Sequence, residues 1–133
     1  MAGYSGTPLP QKLGIRPGGR IRFVAAPDEF ARALGALPAG VRFAPRGAAD
    51  VVVFFTDRST ELRRRFAQLA RGLDTAGGLW IAWPKKASGM ATDLDENAVR
   101  EIGLAAGLVD NKVCAIDETW SGLRFVFRLS DRK

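Results

Sequence analysis

The apolar positions of this chain follow two periods. "RIRFVAA" from Arg20, "VVVFFT" from Val51 and "LWIAWP" from Leu79 are apolar at alternate or successive positions and read as strands, the last two with the unbroken character of strands covered on both faces. Between them the spacing lengthens to that of helices. Phe30, Leu34 and Leu37 make one apolar face, Leu62, Phe66, Leu69 and Leu73 a second, and Val99, Ile102 and Ala106 a third. Local signals punctuate these segments. Pro27 with Asp28 and Glu29 opens the first helix, Ser59 or Thr60 caps the second, and Thr92 with Asp95, or Asp93 with Glu96, opens the third, which stops at Gly107.

"VDNKVCAID" and "LRFVFRL", joined through "ETWSG" with Gly122 free to turn, predict a C-terminal hairpin. The whole order is that of an α/β protein: three layers, a mostly parallel sheet of about five or six strands, helices on both faces, and a terminal antiparallel hairpin. Residues 1–19, rich in Gly and Pro, are expected to form an N-terminal arm, and residues 20–130 a single domain. One connection is short. Only six residues separate "VRFA", from Val41, from "VVVFFT", whereas a parallel crossover takes a dozen or more, so "VRFA" is expected to be an edge piece of open direction.

Composition adds limits. With 133 residues, 47% hydrophobic and 26% charged, the chain is long enough for its own core and reads as a soluble globular protein. Cys114 is the single cysteine, so no internal disulfide forms and a reducing, cytoplasmic setting is expected; no stretch has the apolar length of a membrane span. The net charge of +6 is lopsided: residues 1–74 hold twelve Lys/Arg against six Asp/Glu, residues 75–133 eight of each. That asymmetry is the footprint of a polyanion partner or simply of an arginine-rich surface.

"LGIRPGGRIRFVAAPDEFARAL" resembles the opening of class I S-adenosylmethionine-dependent methyltransferases, in which a proline-glycine pair precedes a strand ending in a G-x-G-x-G loop. The resemblance runs over residues 13–129 and implies a Rossmann-like, methyltransferase-like fold. It departs at the cofactor loop. Ala25, Ala26, Pro27, Asp28, Glu29 and Phe30 contain no glycine, and Ala44, Pro45 and Arg46 at the end of the next strand supply no acid for a ribose, so the ordinary mode of S-adenosylmethionine binding is not expected and no cofactor is assigned. The chain is also similar to a small bacterial family of unknown function, through "YSGTPL", "WPKKASG", "GLVDNKVCAID" and "WSGLRFV". That similarity implies no reaction.

Histidine is absent, which removes the commonest general base and the commonest metal ligand, and no metal site is expected. Cys114 lies mid-strand and reads as a small packed residue rather than a nucleophile. If the three apolar strands are parallel neighbours, their carboxyl ends form the natural crevice, walled by Pro27, Asp28, Thr56, Asp57, Ser59, Trp83, Lys85 and Lys86, with Ser88 and Thr92 adding hydroxyls. There Trp83 would offer a flat ring and the lysines positive charge to a small anion. Arg63, Arg64 and Arg65 on the second helix, with Trp120 and Arg124 on the hairpin, are candidate partner contacts. Three readings follow: a non-catalytic binding or regulatory module with a protein or small-anion partner; an enzyme acting on an anionic substrate at the Trp83–Ser88 loop, with Lys85 or Lys86 as clamp and Asp28 or Asp57 as base; or a nucleic-acid binder using the basic first half.

Overall fold

In the computed structural model, which describes residues 6–132, strand periodicity alone distributes the core. β3 (Ala49–Phe55) sends Val52 and Phe54 to one face of the sheet and Val51, Val53 and Phe55 to the other, and β4 (Leu73–Pro84) divides in the same way, Leu79, Ile81 and Trp83 against Trp80 and Ala82. Two cores result. α3 (Ser59–Arg71), through Leu62, Phe66 and Leu69, and α4 (Glu96–Ala105), through Val99 and Ile102, cover the first face. α1 (Leu9–Leu13) and α2 (Asp28–Leu34) cover the second.

The six strands lie in the order β2-β1-β3-β4-β6-β5. β1 (Arg20–Val24), β2 (Arg42–Phe43), β3 and β4 are parallel; β6 (Trp120–Phe127) runs antiparallel to β4 and to β5 (Leu108–Ala115). This is the three-layer, mostly parallel α/β sheet with a C-terminal hairpin that the residue pattern predicts. β1, β3 and β4 are adjacent and bring their carboxyl ends together.

Several boundaries differ from the sequence expectation. The segment before Arg20 is part of the body from Leu9 onward: Leu9, Leu13 and Ile15 are buried, and the Trp80 indole N–H donates to the Leu13 carbonyl at 3.0 Å. A five-residue helix among Gly and Pro carries too little periodicity to be read as core. Tyr4 lies outside the described residues. α2 stops at Leu34 because Gly35 takes φ 71°, so Leu37 packs from beyond the helix. β4 begins at Leu73, with "DTAGG" inside it; Leu73 pairs with Ala49, and after a shift of register Gly78 pairs with Val51. The hairpin turns at 116–119, so Gly122 lies within β6, where a Cβ would press on Ile116 and Trp80 at 3.1 Å.

The short β2–β3 connection is possible because β2 spans two residues and lies beside Arg20 and Ile21 only, leaving the chain merely to step over β1. Arg22 props the step from below. Its guanidinium donates to the carbonyls of Ala44 at 2.7 Å, Gly47 at 2.5 Å and Gly72 at 3.2 Å, taking up acceptors that a crossover helix would otherwise satisfy internally.

Candidate functional site

The chain runs from β1 outward to β2 and returns to β3 on the other side of β1, so the strand order reverses between β1 and β3, and the crevice outside their carboxyl ends is where such sheets hold ligands. Aromatic side chains crowd the α2 side of it. Phe43, Phe23, Phe30, Phe55 and Trp120 form a continuous edge-to-face series with centroid separations of 5.5, 4.9, 4.9 and 5.2 Å. Phe30 and Phe55 are buried, and Trp120 is 7% exposed with its Nε1 lacking a hydrogen-bond partner, so ring packing rather than polar bonding holds the indole there. Ala25, directly after β1, has φ 59°, the left-handed conformation that glycine adopts freely and alanine only at a cost of about 1–2 kcal/mol. The turn keeps a glycine's shape without the glycine.

The α3 side of the crevice is laced shut. Asp93 takes the start of α3, accepting from the Ser59 N–H at 2.8 Å and the Ser59 hydroxyl at 2.5 Å; the Ser59 bonds, chiefly that from the hydroxyl, hold its carboxyl below the usual aspartate range. Thr92 donates to the Asp57 carbonyl at 2.8 Å and accepts from the Leu94 N–H at 3.0 Å. Thr56, buried, donates to Glu61 at 2.5 Å. The helix start that could have met an external anion is thus occupied by a carboxylate from the next loop. Neither sequence alternative for the start of α4, Thr92 with Asp95 or Asp93 with Glu96, gives its cap: Asp95 itself caps the helix, accepting from the Ala98 N–H at 2.8 Å.

The residues singled out in the sequence separate accordingly. Trp83 is 5% exposed and faces the α3/α4 core beside Leu79 and Ile81, because position 83 shares their parity along β4; it presents no open ring face. The Lys85 ammonium donates to the Asp117 carbonyl at 2.6 Å and its N–H to Thr119 at 2.8 Å, tying the loop to the hairpin turn. Ser88 closes a local turn by donating to the Lys85 carbonyl at 2.6 Å. Lys86 is exposed, and Asp28 is exposed at the rim of an apolar cavity of about 380 Å³ with Phe23, Phe30 and Phe43. Asp57 lines an open cavity of about 510 Å³ with Arg58, Glu61 and Arg64. Cys114 is half-buried and burial raises its thiol pKa, with the lysines at 12, 112 and 85 opposing.

The three consecutive arginines point different ways, as 100° per residue requires. Arg63 faces Asp93 and lines a cavity with Phe66 and Ile102; Arg64 borders the Asp57 cavity; Arg65 lies over the Phe54 ring at 4.9 Å, at the edge of a groove of about 570 Å³ shared with Arg22, Arg46, Gln68 and Arg71. Among the described residues no carboxylate lines that groove. Arg124 sits on the opposite face at the amino end of the strands, in a cavity that also holds Arg16, Arg20, Asp50 and Asp74. Arg16 escaped the sequence reading because nothing local marks it; the "RPGG" around it signals only a turn.

No protein-family model and no curated protein sequence matches the chain. Among solved structures it is similar to an S-adenosylmethionine-dependent methyltransferase from Aquifex aeolicus, with TM-score 0.64 and 12% identity over 86% of this chain and 85% of that one. A chain of the complex between the Haloferax volcanii Trm112 methyltransferase activator and the putative methyltransferase matches with TM-score 0.64 and 11% identity, over 90% and 87%. The Methanococcus jannaschii fibrillarin pre-rRNA processing protein matches with TM-score 0.60 and 14% identity, over 94% and 70%. These likenesses show a methyltransferase-like α/β fold. No group of His, Cys, Asp and Glu able to hold a metal, and no helix long and apolar enough to cross a membrane, occurs among the described residues.

Proposed function

We propose that the chain is a non-catalytic binding or regulatory module on a methyltransferase-like scaffold, the reading that its similarity to the "WPKKASG" and "WSGLRFV" family also leaves open. The observation that carries it is the line Phe30–Phe55–Trp120, which sets three rings in contact at the carboxyl end of the sheet, where a cofactor would need open space. Ala25 in place of a loop glycine and the run Ala44-Pro45-Arg46 without an acid after β2 support the same conclusion. A neighbour in fold that comes from a complex with a methyltransferase activator supports a protein as one class of partner. Titration calorimetry and thermal unfolding with S-adenosylmethionine and S-adenosylhomocysteine test the reading: neither heat nor shift is expected, and saturable binding of either would overturn it.

A second reading, nucleic-acid binding, is favoured by the groove of Arg22, Arg46, Arg65 and Arg71, which no carboxylate among the described residues lines. Arg22 is spent on backbone carbonyls, leaving three arginines for phosphates. Each phosphate neutralised contributes roughly 0.9 to the slope of log affinity against log salt on duplex DNA, so the triple change of Arg46, Arg65 and Arg71 to Gln should flatten that slope by about 2.7. Binding without salt dependence, or unchanged in the triple variant, would dismiss the groove.

A further inference from the structure

We propose that the cavity at the amino ends of β1, β3 and β4 is an anion site that takes the phosphate group of a small molecule between Arg16 and Arg124. It is remote from the strand-end crevice and does not depend on how that crevice is read.

The cavity measures about 410 Å³. It contains three arginines and two carboxylates, yet the charges do not pair off. Arg20 takes both acids: its N–H, Nε and Nη2 reach the Asp50 carboxylate at 2.9, 3.3 and 2.8 Å, and Nη2 lies 3.5 Å from Asp74. Arg16 and Arg124 are left without a carboxylate among the described residues. Arg124 is half-buried, and its polar partner is the neutral Asn111 side chain at 3.3 Å, brought alongside by the irregularity in β5 between Asp110 and Lys112. A guanidinium has five donors, and a charge drawn partly out of water is costly until it is paired. Burial, and then the positive charge of Arg132 and Arg16, push its pKa down.

The backbone makes room for this arrangement. A Cβ on Gly78 would fall 2.3 Å from Arg124 Nε, so the guanidinium lies flat against a strand position that only glycine leaves free. Two uncompensated guanidinium groups on one concave wall match a dianion, and the planar fork of arginine binds phosphate through paired N–H donors. The cavity exceeds what an inorganic phosphate fills. It falls within the range of small-molecule pockets, which points to a phosphate monoester rather than the free ion.

The test titrates the full chain with inorganic phosphate, phenyl phosphate and acetate at constant ionic strength, following thermal unfolding and backbone amide NMR shifts. Phenyl phosphate should saturate one site, shift amides of residues 14–20 and 74–78, and raise Tm by roughly 10 °C at a hundredfold excess over its Kd; inorganic phosphate should bind more weakly and acetate not at all. Inorganic phosphate binding as tightly as phenyl phosphate would reassign the site to the free ion and overturn the monoester. Arg124→Gln and Gly78→Ala should abolish binding, the exposed Arg16→Gln should weaken it at least tenfold, and Arg32→Gln should leave it unchanged. Arg16→Gln decides the matter if Arg124→Gln does not fold. Absence of saturable binding, equal binding of acetate, or binding that survives Arg16→Gln and Gly78→Ala would overturn the proposal.

Discussion

The two ends of the same sheet treat polar groups in opposite ways. At the carboxyl end, where the topology nominates a ligand site, Asp93 is bound by Ser59, Thr92 by the Asp57 carbonyl and Lys85 by the Asp117 carbonyl, while Phe30, Phe55 and Trp120 stack ring against ring beside the cavities at Asp28 and Asp57. At the amino end, Arg20 neutralises Asp50 and Asp74, and Arg16 and Arg124 share a cavity with no carboxylate bound to them among the described residues. A fold indicates where proteins of that shape hold a ligand, but the free donors and open volume of a given chain are what a ligand would meet in it.

The comparison breaks most directly at Phe55. If the carboxyl end is packed core, Phe55→Ala costs about 3–5 kcal/mol in chemical denaturation, the usual penalty for emptying a buried phenylalanine site; a cost below about 1 kcal/mol would mean that the rings are an occupied pocket's loose lining instead. Ala25→Gly should have the opposite sign. Relief of about 1–2 kcal/mol of left-handed strain, less about 0.4–1 kcal/mol for the freer unfolded chain, leaves a net gain of roughly 0.5–1 kcal/mol. Loss of stability there would mean that the turn does not bear that strain.

Acid sharpens the contrast from both ends. Asp93, held down by Ser59, and Asp50, held down by Arg20, have folded-state pKa values below those of the unfolded chain. Each therefore stabilises the fold above about pH 4 and loses that contribution as pH falls toward its folded value. Unfolding curves at pH 7 and 5 should nearly coincide and that at pH 3 should fall away, less steeply in Asp93→Asn and in Asp50→Asn than in the parent. The smallest effect on stability is expected for Gly78→Ala, because the atoms its Cβ meets are the movable tip of Arg124; Tm should scarcely change while the phosphate response disappears. A large fall in Tm would show that the guanidinium cannot move aside.

Much of the fold was legible in the residue order. Val51–Phe55 and Leu79–Trp83 are apolar at every position because both faces of a central parallel strand are covered, and that pattern survives any detail of packing. The N-terminal helix was not legible, since Leu9, Leu13 and Ile15 gain their burial from Trp80 and the sheet face that α2 also covers rather than from local periodicity. The candidate site fared less well. Parity along β4 turns Trp83 inward and stacking on Phe55 turns Trp120 inward, neither of which their neighbours in sequence reveal.

What the sequence determined by itself was the alternation of strands and helices, the unbroken apolar runs of the central strands and the lack of a glycine in the turn after β1, because each of these is a local property of spacing or residue type. Which charges are paired was decided only in the tertiary structure. Arg20 meets Asp50 and Asp74, and Arg16 and Arg124 share one cavity, only after the sheet closes, and electrostatic energy depends on those distances through space and not on separation along the chain.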